Sequence, residues 1–195
     1  MPKVNRSGQA KVLSDSEITK IRRNLRMPHH KLIFDILRYT GERIGAVLQL
    51  EKLDVFDRKG NPRKYITFRA RTRKAAAGLP AKTRQVVIHA SLKDTLKNYP
   101  LPKNSPWLFP GQDDPQKHLL RQSVDLVFRR ACTKAGLGDE GISSHSFRRS
   151  LMTKLSANGV SARTIQEITG HASLASVQRY IDVDEGMIES AINLL

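Results

Sequence analysis

The sequence contains one cysteine, Cys132, in 195 residues, so no disulfide can form within the chain. A lone thiol is typical of a reducing compartment, and we predict a cytoplasmic location. No stretch approaches the roughly 20 apolar residues that a membrane-spanning helix needs, and no apolar signal segment opens the sequence. Internal repeats and low-complexity tracts are also absent. These absences argue against the disulfide-rich, membrane-spanning and repeat classes of protein.

Acidic residues are few: 18 Asp and Glu face 34 Lys and Arg, giving a formal net charge of +16 and a pI of about 10.4. A soluble domain this basic usually binds nucleic acid, because contacts to phosphate provide most of the affinity. A ribosomal-type protein and a membrane-surface binder are the alternatives. No Asp/Glu cluster or Cys/His set suggests a metal, and we predict no cofactor. The 39% of hydrophobic residues suffices for one packed core.

Apolar periodicity and capping signals predict a mostly helical chain. Ser14 and Glu17 have the spacing of a capping box, for a helix that runs to about Leu25. Apolar residues within 32–37 have helical spacing, and that helix should end near Gly41. Further helices are predicted around Arg43–Leu50, from Ser91 to about Asn98, over 119–135, from Ser144 to about Asn158, after Ser161, after Ser173 and over about 185–194.

Two short segments favour β-structure. Lys64–Phe68 and Gln85–Ile88 are rich in β-branched and aromatic residues. The basic stretch Arg69–Arg84 joins them, so we predict a hairpin with a long, mobile turn. The predicted fold class is therefore α+β, mostly helical, with one small antiparallel sheet.

The strongest candidate site residues lie in the last third of the chain. His145 and Arg148 are three residues apart, so one helix would present them on the same face. Phe147 and Leu151 belong to a separate apolar stripe that can pack against the core. Taken alone, a His-x-x-Arg spacing more often marks a solvated helix face than a functional site.

His171 and Tyr180 are nine residues apart and would face opposite ways on one continuous helix. Gly170 and a cap at Ser173 interrupt the helix, so we predict His171 at a turn and Tyr180 on the helix that follows. The alternative to a functional role is a structural one: a helix-terminal hydrogen bond for His171 and half-buried packing for Tyr180.

Arg43 lies in an otherwise apolar segment, where an arginine near a core needs a partner. That partner is either Glu42, a backbone carbonyl or a phosphate. Lys74, in the basic hairpin, could be carried toward a substrate or could contact phosphate in the ordinary way. The other predicted DNA contacts in this hairpin are Arg71, Arg73, Lys82 and Arg84.

Taken together and in order, these motifs resemble the catalytic domain of the tyrosine recombinases, the phage integrase family. The matching segments are Thr40–Ile44, Arg71–Lys74 with Thr83–Ile88, Trp107–Pro110, His145–Arg149, Thr169–His171 and Arg179–Tyr180. The resemblance covers the chain from about Leu13 to its end. We therefore expect a basic leader at 1–12 and the catalytic domain at 13–195, without the N-terminal core-binding domain that is usual in the family.

The resemblance implies a site-specific recombinase or integrase that cleaves and rejoins DNA strands through a covalent 3′-phosphotyrosine, without ATP or metal. Tyr180 would be the nucleophile, and Arg43 and Arg148 would hold the non-bridging phosphate oxygens. His145 would accept or relay the tyrosine proton, and His171 would hydrogen-bond the phosphate. The remaining role, protonation of the leaving 5′ oxygen, would fall to Lys74.

Two departures from the family pattern bear on these roles. The family often has an acidic residue three positions after the first arginine, where this chain has Ala46; Glu42 is a candidate replacement. The enlarged hairpin turn leaves Lys82 as an alternative to Lys74. Ala46 also leaves room for a catalytically inactive or accessory DNA-binding protein of the same fold. A type IB topoisomerase shares the chemistry, but the short chain and the His-x-x-Arg motif fit an integrase better.

The implied partner is double-stranded DNA. A short amphipathic helix at the end of the chain suggests a homo-oligomer, a tetramer, on DNA, which is compatible with a monomer in solution. The expected setting is the cytoplasm of a bacterium, or of a bacterium carrying a phage, with the protein nucleoid-associated when bound.

Overall fold

The computed structural model describes residues 10–73, 80–180 and 192–193. Within these ranges the protein has eight α-helices and one two-stranded sheet, so the predicted α+β class is confirmed. Short 3-10 turns are found at Lys52–Asp54 and Ala70–Thr72. In chain order the elements are α1 Asp15–Arg23, α2 Pro28–Thr40, α3 Ile44–Leu48, β1 Tyr65–Phe68, β2 Arg84–Val87, α4 Ala90–Lys97, α5 Arg121–Lys134, α6 Ser144–Ala157, α7 Ala162–Thr169 and α8 Leu174–Gln178.

The first two helices begin and end where local chemistry predicts. Ser14 Oγ accepts from the Glu17 N–H at 3.2 Å, and Glu17 Oε2 accepts from the Ser14 N–H at 2.9 Å, which closes the predicted capping box. α2 has Pro28 as its first residue, where the missing N–H has no cost. It ends at Gly41, whose φ of 59° is the left-handed conformation that glycine adopts most readily.

Two of the predicted caps were wrong by one or two residues. The N-cap of α4 is His89, whose ring Nδ1 accepts from the Ser91 N–H at 3.2 Å, so the helix starts before Ser91. The N-cap of α6 is Ser143, and its N–H donates to Ser146 Oγ at 3.1 Å. Adjacent serines and a histidine acceptor give equivalent local signals, and only the surrounding packing selects among them.

The two predicted strands form and pair, with β1 beginning one residue later than predicted and β2 lying one residue earlier. β1 and β2 pair antiparallel, with Tyr65 opposite Val87 and Phe68 opposite Arg84. Buried residues alternate with half-buried ones along β1 and with exposed ones along β2, so Phe68 and Arg84 point to the interior. The middle of the connecting turn, residues 74–79, lies outside the described part of the chain.

The main core surrounds α2. Its apolar side chains at 32–34, 36 and 37 are fully buried, as expected of a helix with neighbours on all sides. Each contributes about 1.5–3 kcal/mol of burial energy. The Phe34 ring packs edge-on against Phe147 of α6 at 4.7 Å and against Phe128 of α5 at 5.9 Å. This packing places the middle of α2 beside the start of α6.

A second, smaller group of apolar residues, the satellite cluster, holds the last two helices against α6. Met152, Ile165 and Val177 are fully buried in it, and Leu155, Val160 and Tyr180 pack against them. The main core and the satellite cluster are separate. Among the described residues, no helix is both long enough and apolar enough to cross a membrane.

Candidate active site

A cavity of about 220 Å³ lies between the beginnings of α3 and α6. Arg43 is the N-cap residue of α3, and His145 is in the first turn of α6. Both line the cavity together with Arg148, so three of the predicted site residues meet here. The unpaired N–H groups of a first helical turn carry partial positive charge, which adds to that of the arginines. The cavity is therefore suited to an anion.

Arg43 and Arg148 differ in burial and in hydrogen bonding. No hydrogen bond or ion pair joins the Arg43 guanidinium to any residue in the described ranges. Arg148 is buried at 4% exposure, and its Nη1 donates to the carbonyl oxygen of Gly41 at 2.5 Å. Burial, followed by the charges around it, including the positive charges of Arg43 and Arg84, lowers the pKa of Arg148 to about 10. The end of α2 thus covers the Arg148 side chain, which helix spacing alone does not predict.

His171 lies against Arg148. Arg148 Nη2 is 3.0 Å from Nε2 and 3.1 Å from Nδ1 of the imidazole. An atom in the ring plane at both distances would overlap Cε1, so Nη2 lies over the face of the ring. Arg148 Nε also donates to Nε2 of the imidazole, at 3.2 Å. Thr169 Oγ1 lies 2.7 Å from Nδ1.

The hydrogen bonds of Thr169 assign the histidine tautomer. The Thr169 hydroxyl donates its hydrogen to the carbonyl oxygen of Ile165 at 2.7 Å. Its oxygen must therefore accept from Nδ1–H of His171, which leaves the lone pair on Nε2. Burial, with the positive charges of Arg148, Arg43 and Arg84, lowers the pKa of His171 to about 3. The imidazole is therefore neutral at neutral pH in the free protein.

Replacing His171 with glutamine is expected to flatten the dependence of stability on pH. Between a folded pKa of about 3 and the ordinary value of 6.5, the unfolded chain binds a proton that the folded protein does not. The free energy of unfolding therefore falls as the pH is lowered through this range. Urea unfolding of both proteins between about pH 7 and pH 5 measures this difference, and His29 and His30 contribute equally to both curves. Parallel curves would contradict the assignment.

Tyr180 is adjacent to His171 but does not lie on a helix. α8 ends at Gln178, so the prediction of a helical Tyr180 was wrong; the tyrosine follows two residues later. Its ring centroid is 5.8 Å from that of His171, with the rings tilted by 43°. Thr153 Oγ1 donates to the Tyr180 carbonyl oxygen at 3.3 Å, which ties this turn to α6. His171 therefore contacts both Arg148 and Tyr180.

Two of the predicted DNA contacts point inward. The Arg84 side chain is 7% exposed, and its Nη1 lies 2.7 Å from Glu42 Oε2. Arg73 is 10% exposed and donates from Nε to the same oxygen at 3.2 Å. Glu42 is itself buried and does not pair with the Arg43 guanidinium; its Oε1 accepts from the Arg43 backbone N–H at 2.8 Å. Sequence reasoning missed this network.

The other basic hairpin residues face outward or lie beyond the described ranges. Arg71 is exposed and paired with Glu51 at 2.6 Å, and Lys82 is exposed. Lys74 falls within residues 74–79 and is outside the described residues. Arg121, the first residue of α5, also lines the cavity, and nothing in the sequence singles it out among 34 basic residues. Among the described residues, no group of three or more His, Cys, Asp or Glu could hold a metal.

Comparison with known proteins identifies the family. The sequence model of the phage integrase family matches residues 11–187 of this chain. The chain belongs to this family of tyrosine recombinases. Tyrosine recombinase XerD of Rhizobium meliloti (strain 1021) is 27% identical over 185 residues, which are 95% of this chain and 56% of that protein. XerD of Brucella suis biovar 1 (strain 1330) is 28% identical over 123 residues, 60% of this chain and 40% of that protein. The chain thus spans about half the length of these relatives.

Solved structures show the same fold. XerA recombinase superposes with a TM-score of 0.74 and 22% identity, covering 97% of this chain and 66% of that one. XerH recombinase, bound to its difH substrate before cleavage, superposes with a TM-score of 0.70 and 24% sequence identity. The match covers 97% of this chain and 55% of the XerH chain. The catalytic domain of bacteriophage HP1 integrase gives 0.65 and 23%, covering 95% of both chains. The described fold is therefore that of a tyrosine recombinase catalytic domain.

Proposed function

We propose that this chain catalyses site-specific DNA strand cleavage and rejoining through a covalent 3′-phosphotyrosine. The supporting observation is one continuous set of contacts: Arg43, His145 and Arg148 around a cavity, then His171 on Arg148, then Tyr180 on His171. DNA as the partner is supported by the net charge of +16 and by the XerH relative, whose structure contains its difH substrate.

The scissile phosphate occupies the cavity between Arg43 and Arg148. The first guanidinium has no protein partner among the described residues, and the second is a buried cation whose lowered pKa reflects burial and neighbouring positive charge. A phosphate relieves this repulsion and gains charge-assisted hydrogen bonds. The arginines stabilise the transition state, in which charge on the equatorial oxygens increases. This electrostatic role is one that other phosphoryl-transfer enzymes assign to metal ions, so the chemistry does not require a metal.

Tyr180 supplies the nucleophile. Its hydroxyl oxygen attacks phosphorus, the bond from phosphorus to the 5′ oxygen breaks, and the 3′ phosphate becomes linked to the tyrosine. His145 accepts or relays the phenolic proton, and Lys74 protonates the departing 5′ oxygen, with Lys82 as the alternative donor. In the reverse reaction a 5′ hydroxyl attacks the phosphotyrosine. Rejoining needs no ATP, because the energy of the phosphodiester is kept in the covalent intermediate.

His171 holds the phosphate. In the free protein its Nε2 carries a lone pair, so a hydrogen bond to phosphate needs a proton at that atom. An anion in the cavity opposes the arginine charges and raises the pKa of His171. The exposed hairpin residues Arg71 and Lys82 contact backbone phosphates nearby. On DNA the protein acts as a homo-oligomer, a tetramer.

The test is metal-free formation of a covalent adduct. DNA fragments from beside the gene are first screened for binding, and a bound fragment is then nicked so that the cleaved end diffuses away. At saturating DNA, with a chelator present, we expect a protein–DNA adduct that survives denaturation. Binding without an adduct would instead support the inactive DNA-binding alternative. Relaxation of supercoiled DNA of unrelated sequence would support a topoisomerase.

A further inference from the structure

Arg84 joins three segments of the site through one guanidinium. Its Nη1 donates to Glu42 Oε2 at 2.7 Å and to the carbonyl oxygen of Thr169 at 3.0 Å. Its Nη2 donates to the carbonyl oxygen of Thr40 at 2.9 Å and to that of Ile168. With the side chain only 7% exposed, the donors at both Nη atoms are satisfied by protein acceptors.

These acceptors are the ends of two helices. α2 ends in Thr40 and Gly41, and α7 ends in Thr169 and Gly170, with both glycines in the left-handed conformation. The last carbonyl groups of a helix lack intrahelical partners and carry partial negative charge, so two such ends side by side repel each other. A cation between them removes the repulsion. The Arg84 guanidinium therefore holds together two backbone segments, the one that leads into Arg43 and the one that leads into His171.

Glu42 completes the arrangement. Besides accepting from Arg84 and Arg73, it fixes the Arg43 backbone N–H through Oε1 at 2.8 Å. Ala46, the position at which the family resemblance leads one to expect an acidic residue, is 2% exposed and brings no charge. The buried carboxylate next to the cavity therefore comes from a position four residues earlier.

The packing around Gly170 leaves little freedom. A Cβ on this residue would lie 2.6 Å from Arg73 Nη2 and 2.7 Å from Arg84 Cδ, both closer than real contacts. The backbone immediately before His171 thus rests directly on the two hairpin arginines. A change in the shape or length of the Arg84 side chain is transmitted to His171.

We propose that Arg84 and Glu42 are positioning residues, which set the distance between Arg43 and His171, and that Arg84 does not contact DNA. This inference rests on the proposed function. A phosphate could reach Nη1 and Nη2 of Arg84 only by displacing Glu42 and three carbonyl oxygens, and Nε, which has no hydrogen-bond partner among the described residues, is buried. Arg84 therefore acts on catalysis through the backbone of its neighbours.

Replacing Arg84 with lysine separates the two roles. Lysine keeps the charge but cannot hold four acceptors in a fork, so the catalytic segments shift. We expect the cleavage rate at saturating DNA to fall by about 100-fold, while the Kd for DNA changes by less than about threefold. A phosphate contact predicts the reverse, because a lysine still binds phosphate: a modest change in Kd and an unchanged rate at saturation.

Arg22 offers a matched control. It forms a two-pronged ion pair with buried Asp35, at 2.7 and 2.8 Å, but binds none of the segments that carry site residues. Arg22→Lys should lower the unfolding midpoint without changing the cleavage rate at saturating DNA. If both lysine variants slow cleavage equally, loss of stability explains the result and the positioning role is wrong.

Glu42→Gln provides a second test should Arg84→Lys fail to fold. The amide keeps the shape of the carboxyl group but loses its charge, so DNA should bind no more weakly while cleavage slows. A variant that cleaves at the wild-type rate would overturn the inference. If the wild-type protein forms no adduct at all, the proposed function fails instead, so the two failures are distinguishable.

Discussion

Tyr180→Phe is expected to abolish the covalent protein–DNA adduct completely while leaving the Kd for DNA within about twofold of the wild-type value. The phenyl ring keeps the contacts with His171 and with the satellite cluster. Only the nucleophilic oxygen is lost, and within the described ranges no residue hydrogen-bonds to that hydroxyl. The free energy of unfolding should therefore change by less than about 0.5 kcal/mol.

Tyr99→Phe is the matched control for this substitution. The Tyr99 hydroxyl donates to the carbonyl oxygen of Leu108 at 3.1 Å, and burial raises its pKa to about 12. Removing it should cost about 1 kcal/mol of stability and leave the adduct intact. An adduct that persists in Tyr180→Phe would assign the nucleophile to another residue. Denaturing gels of both variants with the nicked substrate, beside urea unfolding curves, give the comparison.

Arg148→Met is expected to reduce the cleavage rate at saturating DNA by about 10³-fold, which corresponds to about 4 kcal/mol of transition-state stabilisation. The free energy of unfolding should not fall in parallel with the cleavage rate. Arg148 has no carboxylate partner in an ion pair among the described residues, and burial lowers its pKa to about 10. The folded state therefore disfavours this charge, but methionine also leaves the Gly41 carbonyl oxygen without this donor, so we expect the two effects to offset each other largely and the loss of stability to be small.

Arg22→Met is the opposite case. Its guanidinium neutralises Asp35, which is 2% exposed, so methionine leaves a buried carboxylate without its ion-pair partner and with the Thr95 hydroxyl as a remaining donor. That variant should lose stability and keep its cleavage rate. If Arg148→Met destabilises the protein as much as Arg22→Met, the role of Arg148 is structural. Single-turnover cleavage and chemical unfolding of the two variants measure both effects.

The elements of the fold were largely predictable, because their signals are local. The capping box at Ser14, the glycine after α2 and the β-branched content of the hairpin each determine structure within a few residues. The errors occurred where neighbouring residues compete for one role, as at the caps of α4 and α6. Tyr180 was assigned to a helix because sequence spacing does not show that α8 lasts only five residues.

The candidate site was predictable only in part. Spacing on a helix predicted that His145 and Arg148 share a face, and both side chains line the same cavity. It could not show that Arg148 is buried, since the group covering it is the Gly41 carbonyl, 107 residues away in the chain. The basic hairpin residues look equivalent in the sequence. Arg84 is buried because it lies on the inward face of β2, beside Glu42, whereas Lys82 precedes the strand and is exposed.

The separation of the satellite cluster from the main core has a thermodynamic consequence. Among the described residues, three apolar side chains are buried in the satellite cluster, Met152, Ile165 and Val177, whereas thirty are buried in the main core. A unit with so little buried apolar surface opens locally at a fraction of the free energy of global unfolding. Arg43 and Arg148 are fixed to the more stable unit. The phosphate pocket can therefore stay assembled while the nucleophile exchanges between positions, and a surface that packs on the satellite cluster would set how often Tyr180 is in place to react.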